Sequence, residues 1–150
     1  PPLRTPKDVE ALKQGLKDGT IEVISTDHAP HSAEEKTGSM KNTPFGIVGL
    51  ETSLPLTYTE LVEKGVITLK QMVEKMCLNP AKILGLESGT LQEGHPADVI
   101  IVDTEQEYTI DKNKFVSKGH NTPFDGWKVK GKVLYTICDG KIIFENQEEK

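Results

Sequence analysis

The chain has 150 residues, 35% of them hydrophobic and 27% charged, with a formal net charge of -5. That is about one domain's worth of a globular protein with a core of its own, and the acidic balance with Lys and Glu interspersed excludes a basic nucleic-acid surface. No apolar run approaches the roughly 20 residues that span a bilayer, and no basic segment followed by an apolar one opens the chain, so neither nucleic acid nor membrane is expected as a partner and a cytoplasmic location is expected.

The chain opens Pro1-Pro2-Leu3-Arg4, without an initiator Met, which reads as a piece of something longer. Thr5 is placed to cap a helix, Pro6 suits its first position, and Val9, Leu12 and Leu16 recur at helical spacing until Asp18 and Gly19 stop it. Residues 20–26, TIEVIST, form a β-rich run that leads into Asp27. Residues 32–46 hold Gly38, Pro44 and Gly46 without a clear period and read as a loop.

Between Gly49 and Lys64, the positions of Leu50, Leu54, Leu61 and Val62 suit a helix with an irregular start at Pro55, and Gly65 stands where it would stop. Thr68 with Gln71 three residues on forms a capping box, and Leu69, Met72, Val73 and Met76 make a stripe expected to face the core, with no ligand role. Asn79 and Pro80 restart a short helix that Gly85 closes.

From Gly89 onward the composition turns to β. Residues 90–94 read as a turn, 97–103 and 132–138 as strands, and Asp139-Gly140 before Lys141-Ile142-Ile143-Phe144 as a hairpin, because Asp-Gly suits the type I′ turn that matches strand twist. Cys77 and Cys138 read as small buried hydrophobes rather than a disulfide or a zinc knuckle. Trp127, with Phe124 nearby, is expected to pack into the core, and the tail from Glu145 to fray. A helical and α/β half followed by a β-rich half is the grammar of an α/β protein.

The chemistry gathers at Thr26-Asp27-His28-Ala29-Pro30-His31, where an acid and two histidines follow an apolar run. Reactive side chains in strand–helix barrels sit at the carboxyl ends of strands, and a carboxylate there can ligate a divalent metal and accept a proton from its bound water. Pro30 stiffens the turn that aims His31, which can bind either an anionic substrate or a metal. His28 reads as structural, or as a support behind a ligand. A polar turn that merely ends a strand is the competing reading, and spacing alone does not decide between them.

The run Thr26-Asp27-His28-Ala29-Pro30-His31, then four residues and Lys36, resembles the second signature of dihydroorotases, with Ser25 where that family usually has Gly or Ala. The resemblance continues through residues 44–47 (PFGI), 49–52 (GLET), 79–85 (NPAKILG), 94–98 (GHPAD) and 115–124 (FVSKGHNTPF), and so covers essentially the whole chain. It implies the carboxyl-terminal part of a metal-dependent (β/α)8 barrel over residues 1–87, plus the carboxyl-terminal part of a small β-sandwich domain over residues 88–150.

By the same resemblance Asp27 is the catalytic residue, a metal ligand that also shuttles the proton. His31 contacts the substrate carboxylate, and the main chain at Phe45 and Gly46 touches the substrate ring. The implied cofactor is zinc, one or two ions. The implied reaction is the reversible cyclisation of N-carbamoyl-L-aspartate to L-dihydroorotate in pyrimidine biosynthesis. The implied partners are that small-molecule substrate, the amino-terminal part of the same enzyme, a second copy in a homodimer, and another pyrimidine-pathway enzyme.

The family's His-x-His pair, its remaining histidine ligands and its substrate-holding Arg and Asn would all stand before Pro1. One carboxylate does not hold catalytic zinc at useful affinity, so the chain by itself is expected to be inactive. Two rivals share much of this pattern: an allantoinase or hydantoinase that opens a different cyclic amide, and a non-catalytic scaffold that binds a pyrimidine-pathway enzyme.

Overall fold

A computed structural model describes residues 5–147, so the opening tetrapeptide and the last three residues of the acidic tail lie outside the described residues. Helix α1 (Pro6–Asp18) starts as its sequence dictates: the Thr5 side chain accepts from the Asp8 N–H while Asp8 accepts from the Thr5 N–H, and Gly19 ends the helix at φ 90°. Its apolar stripe goes inside only in part, with Val9 and Leu16 half-buried. Leu12 is exposed, and the buried residue is Gly15, which lies against Ile21.

The strand expected over residues 20–26 is a correction. The segment carries no strand assignment, because a strand is defined by a ladder and this one finds no strand neighbour among the described residues. Helical residues satisfy it instead: the Lys75 ammonium donates to the Ile21 carbonyl at 2.5 Å, the Asn79 amide to the Glu22 carbonyl at 2.8 Å, and the Ile24 N–H to the Lys75 carbonyl at 3.1 Å. Only at its far end does ladder pairing begin, in a single parallel bridge between His28 and Ile47.

Helix α2 (Ser53–Thr57) runs directly into a π-helical turn, Tyr58–Val62. Helix α3 (Leu69–Val73) begins at the predicted capping box and passes through a second π turn, Glu74–Leu78, into α4 (Asn79–Leu84). The short helix expected from Asn79 to Leu84 is present and Gly85 closes it, but it continues the π turn without a break, and Asn79 does not cap it because its side chain is spent on Glu22. The π turn stands where Pro80 offers no N–H to an α-type bond, and the Asn79 N–H reaches back to Glu74 instead.

The stripe read from α3 is corrected in part. Met72 is buried, but Leu69 and Val73 are exposed, and the inner face is shared with Lys75, which is only 4% exposed. The aliphatic stem of Lys75 fills core space while its ammonium reaches the Ile21 carbonyl, so the residue behaves as a tether rather than as a surface charge. Cys77 and Cys138 are likewise exposed, not buried; Cys77 lies in the π turn and Cys138 at the mouth of a hairpin.

Five strands follow: β1 (Val99–Asp103), β2 (Tyr108–Thr109), β3 (Lys128–Val129), β4 (Lys132–Cys138) and β5 (Lys141–Glu145). An antiparallel sheet in the order β1-β4-β5 puts β4 in the centre, with Val99 opposite Ile137 and Val102 opposite Val133. The strands read at 97–103 and 132–138 thus pair with each other. Both edge strands show apolar side chains to solvent, including Ile100 and Ile101 on β1 and Ile142, Ile143 and Phe144 on β5.

The short β2–β3 pair had no periodic signal, being two residues per strand, yet it holds the most buried side chain, Val129. This pair packs on the helical half: Gly131 abuts Leu54 and Tyr58, the Lys130 N–H donates to the Thr59 hydroxyl, and the Lys130 ammonium meets Glu63 at 2.5 Å. Trp127 corrects the core expectation. Its ring meets Phe124 edge to face at 5.2 Å but stays 44% exposed, and what the fold uses is its carbonyl, which accepts from the Ile110 N–H.

The β4–β5 turn has the two positive φ angles of a type I′ turn, 48° at Asp139 and 72° at Gly140. Nothing lies within 4 Å of the position that a Cβ on Gly140 would take, so a substitution there changes backbone energy alone. Gly140→Val is expected to cost about 1–2 kcal/mol and Gly140→Asn a small part of that, because a β-branched residue resists the left-handed region that Asn visits. Urea unfolding of the two variants, with unchanged slopes, checks the difference.

Candidate functional site

The segment from Thr26 to His31 lies along residues 46–49, and small residues allow the approach. At Gly49 a Cβ would stand 2.8 Å from the Thr26 carbonyl oxygen, and at Gly46 it would stand 2.5 Å from the Ala29 Cβ. Gly46 also has φ 118°, which only glycine adopts freely, so both the space and the backbone at this position require it. The Ala29 N–H donates to the Ile47 carbonyl at 2.8 Å and locks the register of the two segments.

Asp27 stands at the entry to this contact with φ 45°. A non-glycine residue held in the left-handed region costs of order 1–3 kcal/mol, though Asp pays less than most, and such strain concentrates at working sites. The residue is exposed, and its carboxylate has no hydrogen-bond or ion-pair partner among the described residues. It is therefore a charge held in a defined position with no structural task for it within this part of the molecule.

His28 leaves in another direction and is structural. Its Nδ1 accepts from the N–H groups of Gly49 at 3.0 Å and Leu50 at 3.3 Å, so it caps the turn before α2. His31 is held on three sides. Its N–H donates to the Asn121 side-chain oxygen at 3.0 Å, its Nε2 lies 2.9 Å from the Phe45 carbonyl oxygen, and its Nδ1 lies 3.4 Å from a Glu35 oxygen. A carbonyl only accepts, so Nε2 carries the proton.

Glu35 is itself fixed, since the Ser32 N–H donates to its carboxylate at 2.9 Å. That hydrogen bond, with His31 beside it, holds the Glu35 carboxyl below the usual carboxylate range. Phe45 is 85% exposed at the rim of the same turn. Thus His31, Phe45 and Gly46 come together in one hydrogen-bonded cluster, while Asp27 stands four residues back along the segment that carries it.

Two members of the cluster had no assigned role in the sequence. Asn121 lies 90 positions from His31, yet its amide also donates to the Ala29 carbonyl at 3.3 Å and the Gly46 carbonyl at 3.0 Å, and its own carbonyl accepts from the Val48 N–H at 3.1 Å. Lys36 sends its ammonium to the carbonyls of Pro44 at 2.6 Å and Gly46 at 2.7 Å. Nothing local marks an Asn as a long-range clamp; only the run FVSKGHNTPF that contains it was a signal.

Among the described residues no three His, Cys, Asp or Glu side chains group closely enough to hold a metal ion. The donor set does not amount to a metal centre: one carboxylate is offered where a divalent ion takes several ligands.

The model of the amidohydrolase family matches residues 2–143. Similar curated proteins include a dihydroorotase from Acetivibrio thermocellus, 53% identical over 95% of this chain and 34% of that protein. Another, from Bacillus cytotoxicus, is 53% identical over 98% of this chain and 34% of that protein. The chain thus spans about a third of the length of these relatives. Among solved structures, an L-hydantoinase (dihydropyrimidinase) from Arthrobacter aurescens superposes with a TM-score of 0.91 at 37% identity, covering 99% of this chain and 34% of that one. A dihydropyrimidinase from Brevibacillus agri NCHU1002 gives 0.91 at 27% identity, covering 99% and 33%. The mixed helix and strand content is that of part of an α/β barrel, and the chain belongs to the amidohydrolase family.

Proposed function

We propose that this chain is the Asp27-bearing third of a dihydroorotase, which in its whole form interconverts N-carbamoyl-L-aspartate and L-dihydroorotate in pyrimidine biosynthesis. The observation that carries the reading is identity above half to curated dihydroorotases along nearly all of the chain, the segment of Asp27 and His31 included. Residues 1–87 then belong to the catalytic barrel and 88–150 to the β-domain, with the stretch from Ile110 to Gly131 folded back onto the barrel side. A cytoplasmic homodimer in contact with another pyrimidine enzyme remains part of this proposal.

Asp27 has the role of metal ligand and proton carrier. An exposed carboxylate with a strained backbone and no partner among the described residues is free to face a reacting group. Zinc, one or two ions, would supply polarisation of the amide carbonyl and an activated water, but its remaining ligands are not found among the described residues, so the chain alone is proposed to be inactive. His31 contacts the substrate carboxylate, and the backbone of Phe45 and Gly46 lines the ring at the edge that carries this carboxylate, a division supported by the three already standing in one cluster.

In the whole enzyme, Asp27→Asn is expected to lower kcat by at least about 100-fold, since Asn fits the same backbone but neither holds nor returns a proton. Its melting temperature should stay near wild type, and retention of more than about a hundredth of the activity contradicts the role. Gly46→Ala should remove activity for another reason, the 2.5 Å collision with Ala29, and should lower thermal stability as well. A calorimetric scan beside the assay separates the two.

A second reading has an observation of its own: the hydantoinase-type structures superpose closely. Parallel assays on dihydroorotate, allantoin and hydantoin distinguish them. Turnover of dihydroorotate alone supports the proposal, and turnover of hydantoin alone replaces it.

A further inference from the structure

The turn Pro44-Phe45-Gly46 has every carbonyl taken. Lys36 donates to Pro44 at 2.6 Å, His31 to Phe45 at 2.9 Å, and Gly46 receives both Lys36 at 2.7 Å and Asn121 at 3.0 Å. No peptide bond here is cis, and in a trans peptide the N–H points opposite to the carbonyl of the preceding residue. Turning the carbonyls of Pro44 and Phe45 inward therefore turns the N–H groups of Phe45 and Gly46 outward. Neither N–H has a partner among the described residues, although backbone donors are normally satisfied.

Two adjacent free donors beside an imidazole make a receptor for a planar anion such as a carboxylate. The element that sets their direction is Lys36. It grips the peptide planes on both sides of the one that His31 holds, so the Phe45 N–H is fixed directly and the Gly46 N–H is kept from rotating. Lys36 has no carboxylate partner among the described residues; its ammonium is solvated by those two carbonyls and keeps its charge, which strengthens both bonds and adds positive potential behind the amides.

We propose that Lys36 is a positioning residue that aims the amides of Phe45 and Gly46 at the carboxylate of the bound substrate. The inference deepens the dihydroorotase reading and rests on it. It gives the chemistry of a lysine, a long stem with several donors, a task that a neutral side chain of equal length does not perform.

The test compares wild type, Lys36→Met and Lys36→Arg in the whole enzyme. The readouts are dihydroorotate kinetics, thermal scans, and amide resonances of Phe45 and Gly46 during titration with dihydroorotate. Lys36→Met is expected to raise KM about tenfold or more with kcat changed less than about threefold, to melt near wild type, and to lose the ligand-induced movement of both amides. Lys36→Arg should recover a large part of the affinity, since it restores a charged donor. Unchanged KM in Lys36→Met overturns the proposal, and so does a joint fall of kcat and melting temperature at constant KM, which marks a fold tether. If wild type turns over only hydantoin, the substrate reading fails, while movement of the two amides on titration with dihydroorotate, which carries the carboxylate that hydantoin lacks, still decides the role of Lys36. If neither amide moves in wild type, the receptor itself is refuted.

Discussion

One side chain organises the site. The Asn121 amide accepts from His31, donates to Ala29 and to Gly46, and its backbone carbonyl takes the Val48 N–H. A planar group with a donor and an acceptor in fixed relation ties the histidine turn to the Phe-Gly turn with little freedom left over. Carbonyls and N–H groups that two loops would otherwise leave to water are satisfied across the gap between segments about 90 positions apart in the chain. The close approach it enforces is what makes Gly46 and Gly49 obligatory, since a methyl at either would meet backbone or Cβ atoms well inside van der Waals distance.

Against this tightly bonded cluster Asp27 behaves in the opposite way. Its backbone is strained and its carboxylate unpaired among the described residues, while the neighbouring His28 spends its ring on two N–H groups and stabilises the turn. Adjacent residues thus divide the work. One adds stability, and the other costs backbone energy without a structural contact in return among the described residues.

The helical half relies on the same economy of long-range polar tethers. Lys75 and Asn79, from a helix bent through a π turn, hold an extended segment that has no ladder, and Thr59 and Glu63 hold the segment after β3. Few large apolar side chains are fully buried, and many lie open, among them Met40, Leu91, Val116 and Ile143. Hydrogen bonds between segments therefore set the relative placement of pieces that apolar packing alone would leave loose.

Local rules carried much of the fold. The capping boxes at Thr5 and Thr68, the stops at Gly19 and Gly85, strand 132–138 and the Asp-Gly hairpin follow from backbone preferences within a few residues, and those act wherever the chain is placed. The motif of Asp27, His31 and Lys36 was also legible, as residue types in a pattern. Tertiary structure alone decided the rest. Residues 20–26 have strand composition but no strand partner here, and Leu69, Val73, Cys77 and Trp127 have core composition but face outward. Burial and pairing belong to surfaces that meet, not to the residue that carries them. For the same reason the clamping contacts of Asn121 and Lys36 stayed hidden until the loops they bridge were seen side by side: a hydrogen bond depends on distance in space, which sequence spacing does not encode once the chain has turned back on itself.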